Sequence, residues 1–459
     1  MLLCGCGKSK KNTEPHYEIV DGRVVEVTGE GDQTEAATID GGDPGATLDN
    51  GAGQAAYDGA GNTDGTAATL AGAEDYNSID SANPDEIEAV RQTLNGAAQA
   101  CIDIYTNADK GESINANLSG TTLSEMLNAM GQAGYCATDS NGDYNMQNYT
   151  VMDDFGKSVY LRGDTSGTYI IVYPDGHLSA FNLSRKDSTW HLISMSGEWD
   201  DEGDGTYSFR IFSEGRYAIG GVQYTDRGWL IYSRNISDFD ENQRSNTGEY
   251  TMVKILPYDS NYRYLAEKYI EPIGYFENNL FTTDWDQTNF TAIDFNCLYA
   301  YLFGMYNGTE MLSSYNIRDY YKTTGGTKLY VVPAETFENT VTTYFNVNVY
   351  NLRGTSDYSY SLNGYYFLGY NYEYYNVTPR TPSPEVTGYT QNSDGSISIT
   401  VSAVNRWYGT DRAFTHIVTV MPQADGFKYV SNILIKDEDN ILPEMTLDVL
   451  RRVEMDELS

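Results

Sequence analysis

The sequence predicts an α+β protein of two domains behind a long acidic tether, and three observations predict it. Residues 7–83 lack large apolar side chains almost throughout; two stretches, beginning near residue 84 and residue 284, open with apolar positions at helical spacing; and each helical stretch gives way to short alternating runs separated by Asp-Gly turns.

Between Gly29 and Ala82 the chain is mainly Gly, Ala, Asp, Thr and Asn, with almost no large apolar residue. Such a composition cannot bury enough surface to offset chain entropy, so 7–83 is expected to be a disordered tether spanning about 50 Å as a coil. Tyr17 to Val27 alternates around Asp21-Gly22 and reads as an isolated hairpin.

The first domain is placed at 84–257. Asn83-Pro84-Asp85-Glu86 combines a cap, a first-turn proline and an acid three residues after the cap. Ile87, Val90, Leu94, Ala98, Cys101 and Tyr105 then form one apolar stripe. A second helix is expected from Thr122, with Glu125 closing a capping box over Leu123, Met126, Leu127 and Met130. From Thr150 the period becomes two, with strands read at Val159–Leu161, Tyr169–Tyr173, Leu178–Phe181, Trp190–Ile193, Tyr207–Ile211 and Trp229–Tyr232, an antiparallel meander with helices on one face. Residues 258–283 form a joint, in which 264–269 suggests a short helix.

The second domain, 284–437, repeats the plan. Phe290–Tyr306 and Ala334–Phe345 carry helical stripes, and Tyr365–Phe367, Glu385–Tyr389, Ser396–Val404, Ala413–Met421 and Phe427–Ile435 alternate. Helices followed by a long curved sheet resemble the layout of cone-shaped, nuclear transport factor type folds. Residues 438–459 are left as a tail or short helix.

Composition narrows the partners. The 459 residues carry 29 Lys plus Arg against 65 Asp plus Glu, a formal charge of −36. A surface so acidic repels phosphate backbones and anionic lipid, which excludes nucleic acid and leaves no basic membrane-binding face. No apolar run approaches the roughly 20 residues of a membrane-spanning helix.

Candidate chemistry is sparse. The four histidines, His16, His177, His191 and His416, stand in no metal or nucleophile motif, and 65 acids define no particular catalytic pair. No catalytic residue and no cofactor is assigned. Asp139, Asn141 and Asp143 alternate as in a calcium loop, although Tyr144 stands where Gly is wanted and Thr150 where a bidentate Glu belongs, so a solvated turn is the preferred reading. Cys101, Cys136 and Cys297 have no CxxC spacing, and a Cys101–Cys136 bridge is left open. Tyrosine is the most unusual feature, 40 of 459 residues. Tyr365, Tyr366, Tyr370, Tyr372 and Tyr374, set among Asn, Ser and Gly, are candidates for holding a glycan or peptide; the alternative is that tyrosine is simply the preferred strand residue here.

Leu3-Cys4-Gly5-Cys6 resembles the lipobox of bacterial lipoproteins, in which small residues precede a cysteine that becomes acylated. Residues 1–6 then read as a shortened signal, with Cys6 as the lipidated residue. With the acidic tether and the Tyr/Asn-rich body, the chain is similar to surface lipoproteins of Gram-positive bacteria, many in families without an assigned function. The resemblance implies a protein held on the outer face of the cell membrane. A binding or scaffold module for a glycan, peptide or envelope component is the first expectation; a wall- or glycan-acting hydrolase and an envelope assembly factor are the alternatives.

Overall fold

The computed structural model of the protein describes residues 16–20, 23–27, 84–111, 116–234, 250–308, 323–324, 327–369, 381–443 and 445. The chain divides into two compact units, residues 1–75 and 76–459. In the first, β1 (His16–Val20) and β2 (Arg23–Val27) pair antiparallel, with Val20 opposite Arg23. The Asp21-Gly22 turn and the rest of the expected tether lie outside the described residues.

The second unit is mixed α+β. It opens with α1 (Pro84–Asn107), which buries Val90, Leu94, Ala97, Ala98, Cys101 and Tyr105; of the stripe expected from spacing only Ile87 is partly buried, and Ala97 is added. Helix α2 (Gly120–Gln132) starts earlier than its capping signal suggested. Ser119, in extended geometry, accepts the Thr122 amide at 3.1 Å, so Ser119 is the cap and Thr122 already lies inside the first turn.

A seven-stranded sheet follows, in the order β3 (Ala137–Asp139), β4 (Thr165–Val172), β5 (Leu178–Lys186), β6 (Thr189–Asp201), β7 (Tyr207–Tyr224), β8 (Trp229–Arg234) and β9 (Thr251–Lys254). It is antiparallel except for the β3–β4 pair. The turn between β4 and β5 needs Gly176, which sits at φ +86° where an added Cβ would lie 2.4 Å from the Tyr105 ring.

The structure corrects one reading here. Tyr149–Ser158 is a helix, α3, and Val159–Leu161 is the turn after it and not a strand. Met152, Phe155 and Val159 recur at helical spacing and pack on Tyr169, Leu183 and Leu192. Ile170, Ala180 and Ile193, the alternate residues of the same strands, pack under α1 and α2. Because side chains alternate across a sheet, helices cover both faces and not one.

The second half begins with α4 (Ser260–Leu265), capped by Asp259, which runs into a wider π-helical turn over Ala266–Ile270. After β10 (Trp285–Asp286) come α5 (Phe295–Asn307), β11 (Thr323–Thr324), β12 (Thr327–Pro333), α6 (Ala334–Tyr344), α7 (Val349–Thr355), β13 (Tyr358–Ser359), β14 (Gly364–Gly369), β15 (Ser383–Gln391), β16 (Ile397–Val404), β17 (Thr415–Gln423) and β18 (Gly426–Ile435). These make two sheets where one was expected: β10-β18-β17-β16-β15 and β11-β12-β14-β13. Their shared core is aromatic, with Phe281, Phe295, Phe337, Phe345, Phe414 and Tyr429 almost fully enclosed.

The halves meet through a small apolar contact and a buried ionic one. Ile231 and Met252 pack on Val404. Beside them the Trp229 indole donates to Glu385 Oε2 at 2.9 Å, Lys254 pairs with the other oxygen of Glu385, and Arg227 Nε donates to Asp411 at 3.1 Å. Two cations and two carboxylates compensate one another here, so this polar joint balances its own charge.

Candidate functional site

The cleft of interest arises from a change of polarity along two strands. On the face of the seven-stranded sheet beneath α1, directly opposed residues of β4 and β5 run Val172/Leu178, Ile170/Ala180, Thr168/Asn182 and Ser166/Ser184. The first two pairs bury apolar surface under α1 and α2. The next two are polar, and where they face the first turns of α1 the packing opens into a cleft of about 560 Å³. Glu86, Ala89, Val90 and Thr93 form its helix wall; Thr165, Arg185, Lys186 and Asp164 complete the strand wall and rim.

Much of the charge around the cleft is engaged within the protein itself. Glu86 is bound by Lys186 on one oxygen and approached by Arg216 on the other, at 3.3 Å, with the Arg216 side chain only 5% exposed. Arg91 bridges Glu88 and Glu214 at 2.6 and 2.5 Å, fixing α1 to β7. Arg185 donates to the carbonyls of Val159, Leu161 and Gly163 and lies over the Trp190 ring, so its guanidinium closes the turn after α3. Thr165 shares a 2.5 Å hydrogen bond with Ser158.

What remains offers both donors and acceptors, with one carboxylate at the rim. Asn182 Nδ2 donates to Thr168 Oγ1 at 2.8 Å, which leaves the Thr168 hydroxyl proton and the Asn182 carbonyl oxygen directed to other partners. Ser166, Ser184 and Asp164 add hydroxyls and a carboxylate to the lining without being tied to a neighbour among the described residues. A second depression of about 410 Å³, between α1 and α2, is acidic through Asp103, Asp109 and Glu125. Among the described residues no three His, Cys, Asp or Glu side chains converge to hold a metal ion.

The residues singled out from sequence fall elsewhere. Tyr365 is a correction: it is fully buried, its ring stacked 3.9 Å from Phe337, and its hydroxyl donates to Glu338 at 3.0 Å. A ring enclosed on both faces offers nothing to a ligand. Tyr366 is half-buried, and its carbonyl accepts from Asn296. Tyr370, Tyr372, Tyr374 and Cys6 lie outside the described residues.

At the calcium-like turn the Asp139 carboxylate is occupied by the turn's own backbone, accepting the amides of Asn141, Asp143 and Tyr144 at 3.1, 2.9 and 2.9 Å. Asn141 Nδ2 points at Asp143 instead of offering an oxygen. This is the geometry of an acid that shapes a turn.

Cys101 and Cys136 are separate buried thiols. Burial pushes Cys101 up to about 12 and raises Cys136 as well, so neither supplies a thiolate at neutral pH. Of the histidines, His177 sits in the β4–β5 turn 2.6 Å from Asp175 and stacked on Tyr173, while His416 is sealed in the second half. They share no site.

Fold and site together define a mixed α+β protein that presents a cleft lined by hydroxyl and amide groups, with charged residues at its walls and rim. Residues 87–447, most of the chain, match the Family of unknown function (DUF6070), and the protein belongs to that family. No curated protein and no solved structure matches it. Among the described residues no helix is long and apolar enough to cross a membrane.

Proposed function

We propose that this protein is a non-catalytic binding module, held on the outer face of a bacterial cell membrane by lipid on Cys6, that takes an extracellular ligand in the cleft between α1 and the β4–β5 pair. The observation that carries the reading is the cleft itself. Its volume of about 560 Å³ lies within the ~300–1,000 Å³ usual for small-molecule sites. Its walls come from a helix and a sheet clamped together by Glu86, Arg91, Glu214 and Arg216, which favours a preformed site over one assembled on binding. The lipobox-like Leu3-Cys4-Gly5-Cys6 and the acidic stretch after it support the anchored placement.

Two experiments test the two parts. Labelling with an alkynyl fatty acid should mark the wild type and not Cys6→Ala; an unlabelled wild type recovered from the cytosol overturns the anchor. For the cleft, a thermal-shift screen of cell-surface glycan fragments and short peptides should yield ligands whose effect disappears in Ala89→Trp. Ala89 is exposed on the helix wall, so the larger side chain fills the cleft without entering the core. Ligands indifferent to that substitution overturn the site.

A further inference from the structure

Resting on the cleft as the binding site, we infer that its ligand is a small, uncharged, polyhydroxylated molecule, a mono- or disaccharide or a polyol, held chiefly by Thr168, Asn182 and Ser184. The charge pattern argues first. Glu86 already has two cationic partners and Arg185 three carbonyls, so an anionic ligand would have to compete with Glu86 for Lys186 and Arg216, while the one untied carboxylate, Asp164, is solvent-exposed, where pairing with a cationic ligand contributes little. An apolar ligand fares no better, because it would strip water from the Asn182 oxygen and the Thr168 and Ser184 hydroxyls without replacing their hydrogen bonds.

A sugar hydroxyl meets neither obstacle, since it both donates and accepts. The cleft supplies both partners on neighbouring strands: the Thr168 hydroxyl donates, the Asn182 oxygen accepts, and Ser184 and Ser166 do either. Directly opposed strand residues have Cβ atoms about 4.5–5.5 Å apart, close enough for adjacent hydroxyls of one ring to touch both strands. At the rim, Asp164 adds a carboxylate, the stronger kind of acceptor for a hydroxyl. Across from them Ala89 offers a methyl to the C–H face of a ring.

The Thr168–Asn182 hydrogen bond also fixes the roles. It holds the carboxamide with its nitrogen toward Thr168, so the oxygen has one direction to face. Asn182→Leu and Thr168→Val keep approximate size while removing those groups, and Ser184→Ala is a gentler third change in case Asn182→Leu does not fold.

The test is isothermal titration of the full chain with glucose, N-acetylglucosamine, maltose and myo-inositol, set against inorganic phosphate, lysine and indole. Thermal unfolding of each variant confirms that it is folded. Saturable binding of a neutral probe, weakened about tenfold or more by Asn182→Leu or Thr168→Val in a folded protein, is the expected result. No binding of any neutral probe at 50 mM, or neutral binding that ignores all three substitutions, overturns it. If phosphate, lysine or indole binds instead and Ala89→Trp abolishes that binding, the ligand class is wrong while the cleft stands; if Ala89→Trp abolishes nothing that binds, both readings fall together.

Discussion

His416 makes the folded protein sensitive to acid, and the structure sets the size of the effect. Its ring lies on β17 with no exposed surface, stacked 5.2 Å from Phe281 and flanked by Phe414 and Tyr275. Asn432 uses its amide nitrogen on the Thr283 carbonyl, so its oxygen accepts from His416 Nδ1 at 2.7 Å. Nε2 is left to accept from the Tyr275 hydroxyl at 2.9 Å, which makes the ring neutral with the proton on Nδ1. Burial lowers its pKa from an ordinary 6.5 to about 4, the Asn432 hydrogen bond opposing only part of the shift. Tyr275, also fully buried, is pushed upward and stays protonated across the same range.

The sign follows from proton binding. Between pH 6.5 and 4 the unfolded chain holds more protons at this position than the folded one, so stability falls as pH falls and is undiminished above 6.5. At pH 4.5 the loss is roughly 2.5 kcal/mol, approaching about 3.4 kcal/mol below the folded pKa. Urea unfolding of wild type and His416→Gln at pH 7 and 4.5 separates this from the carboxylates, which titrate in both proteins. The variant should be less stable at pH 7, since it packs less well, but the fall between the two pH values should be smaller by about 2 kcal/mol. Equal pH slopes in the two proteins would refute the assignment of the buried neutral ring.

Other substitutions test the remaining parts of the structure. Ser119→Ala should cost about 1 kcal/mol in urea unfolding and Glu125→Ala close to nothing, the reverse of what a Thr122 cap would give. Asp139→Ala strands three amide donors and should destabilise by roughly 1–3 kcal/mol, while millimolar calcium leaves the wild-type melting temperature unmoved; a calcium-dependent rise contradicts the turn geometry. Glu385→Ala removes the shared partner of Lys254, Trp229 and Arg227 and should cost about 3–5 kcal/mol, visible as a drop in melting temperature, because Asp411 still pairs with Arg227 but Lys254 is left without a carboxylate. Tyr365→Phe deletes only the bond to Glu338 and should cost about 1 kcal/mol, against roughly 3–5 kcal/mol for Tyr365→Ala; a glycan-binding loss without a stability loss in Tyr365→Ala would return this residue to the ligand.

Local signals recovered most of the helices and strands because those signals are local in origin. The stripe of α1 and the Asp-Gly turns between β15 and β16 and between β17 and β18 act over a few residues, and each stands where spacing placed it. Helix α3 was missed because Tyr149–Ser158 is only ten residues long and carries Gly156, a poor helix former by propensity. Its reason is tertiary: a Cβ at Gly156 would lie 2.6 Å from the Tyr224 ring, so the glycine lets helix and sheet approach. No reading of neighbours in sequence reveals a contact 68 positions away. Tyrosine misled for a related reason. Composition counts rings without saying where they point, and Tyr299, Phe337 and Tyr365 form a stacked core instead of an exposed platform.

The cleft was not read from the sequence, whose expected strands Tyr169–Tyr173 and Leu178–Phe181 leave out its polar pairs; its signal lies in a departure from pattern. Alternation alone identifies β4 and β5, but on the helix-facing side both strands pass from aliphatic to hydroxyl and amide residues at matching positions. An apolar sheet face that turns polar on two adjacent strands, under a helix that continues across them, cannot be packed shut without burying unsatisfied groups. Solvent or a ligand must therefore occupy the gap. What the sequence could not supply was the register: one residue of slip would place Tyr169 and Leu183 beneath α1 and move Thr168 and Asn182 to the other face. Only with Thr168 set opposite Asn182 do separate polar residues become one wall, and the case for a polyol ligand stands on that pairing.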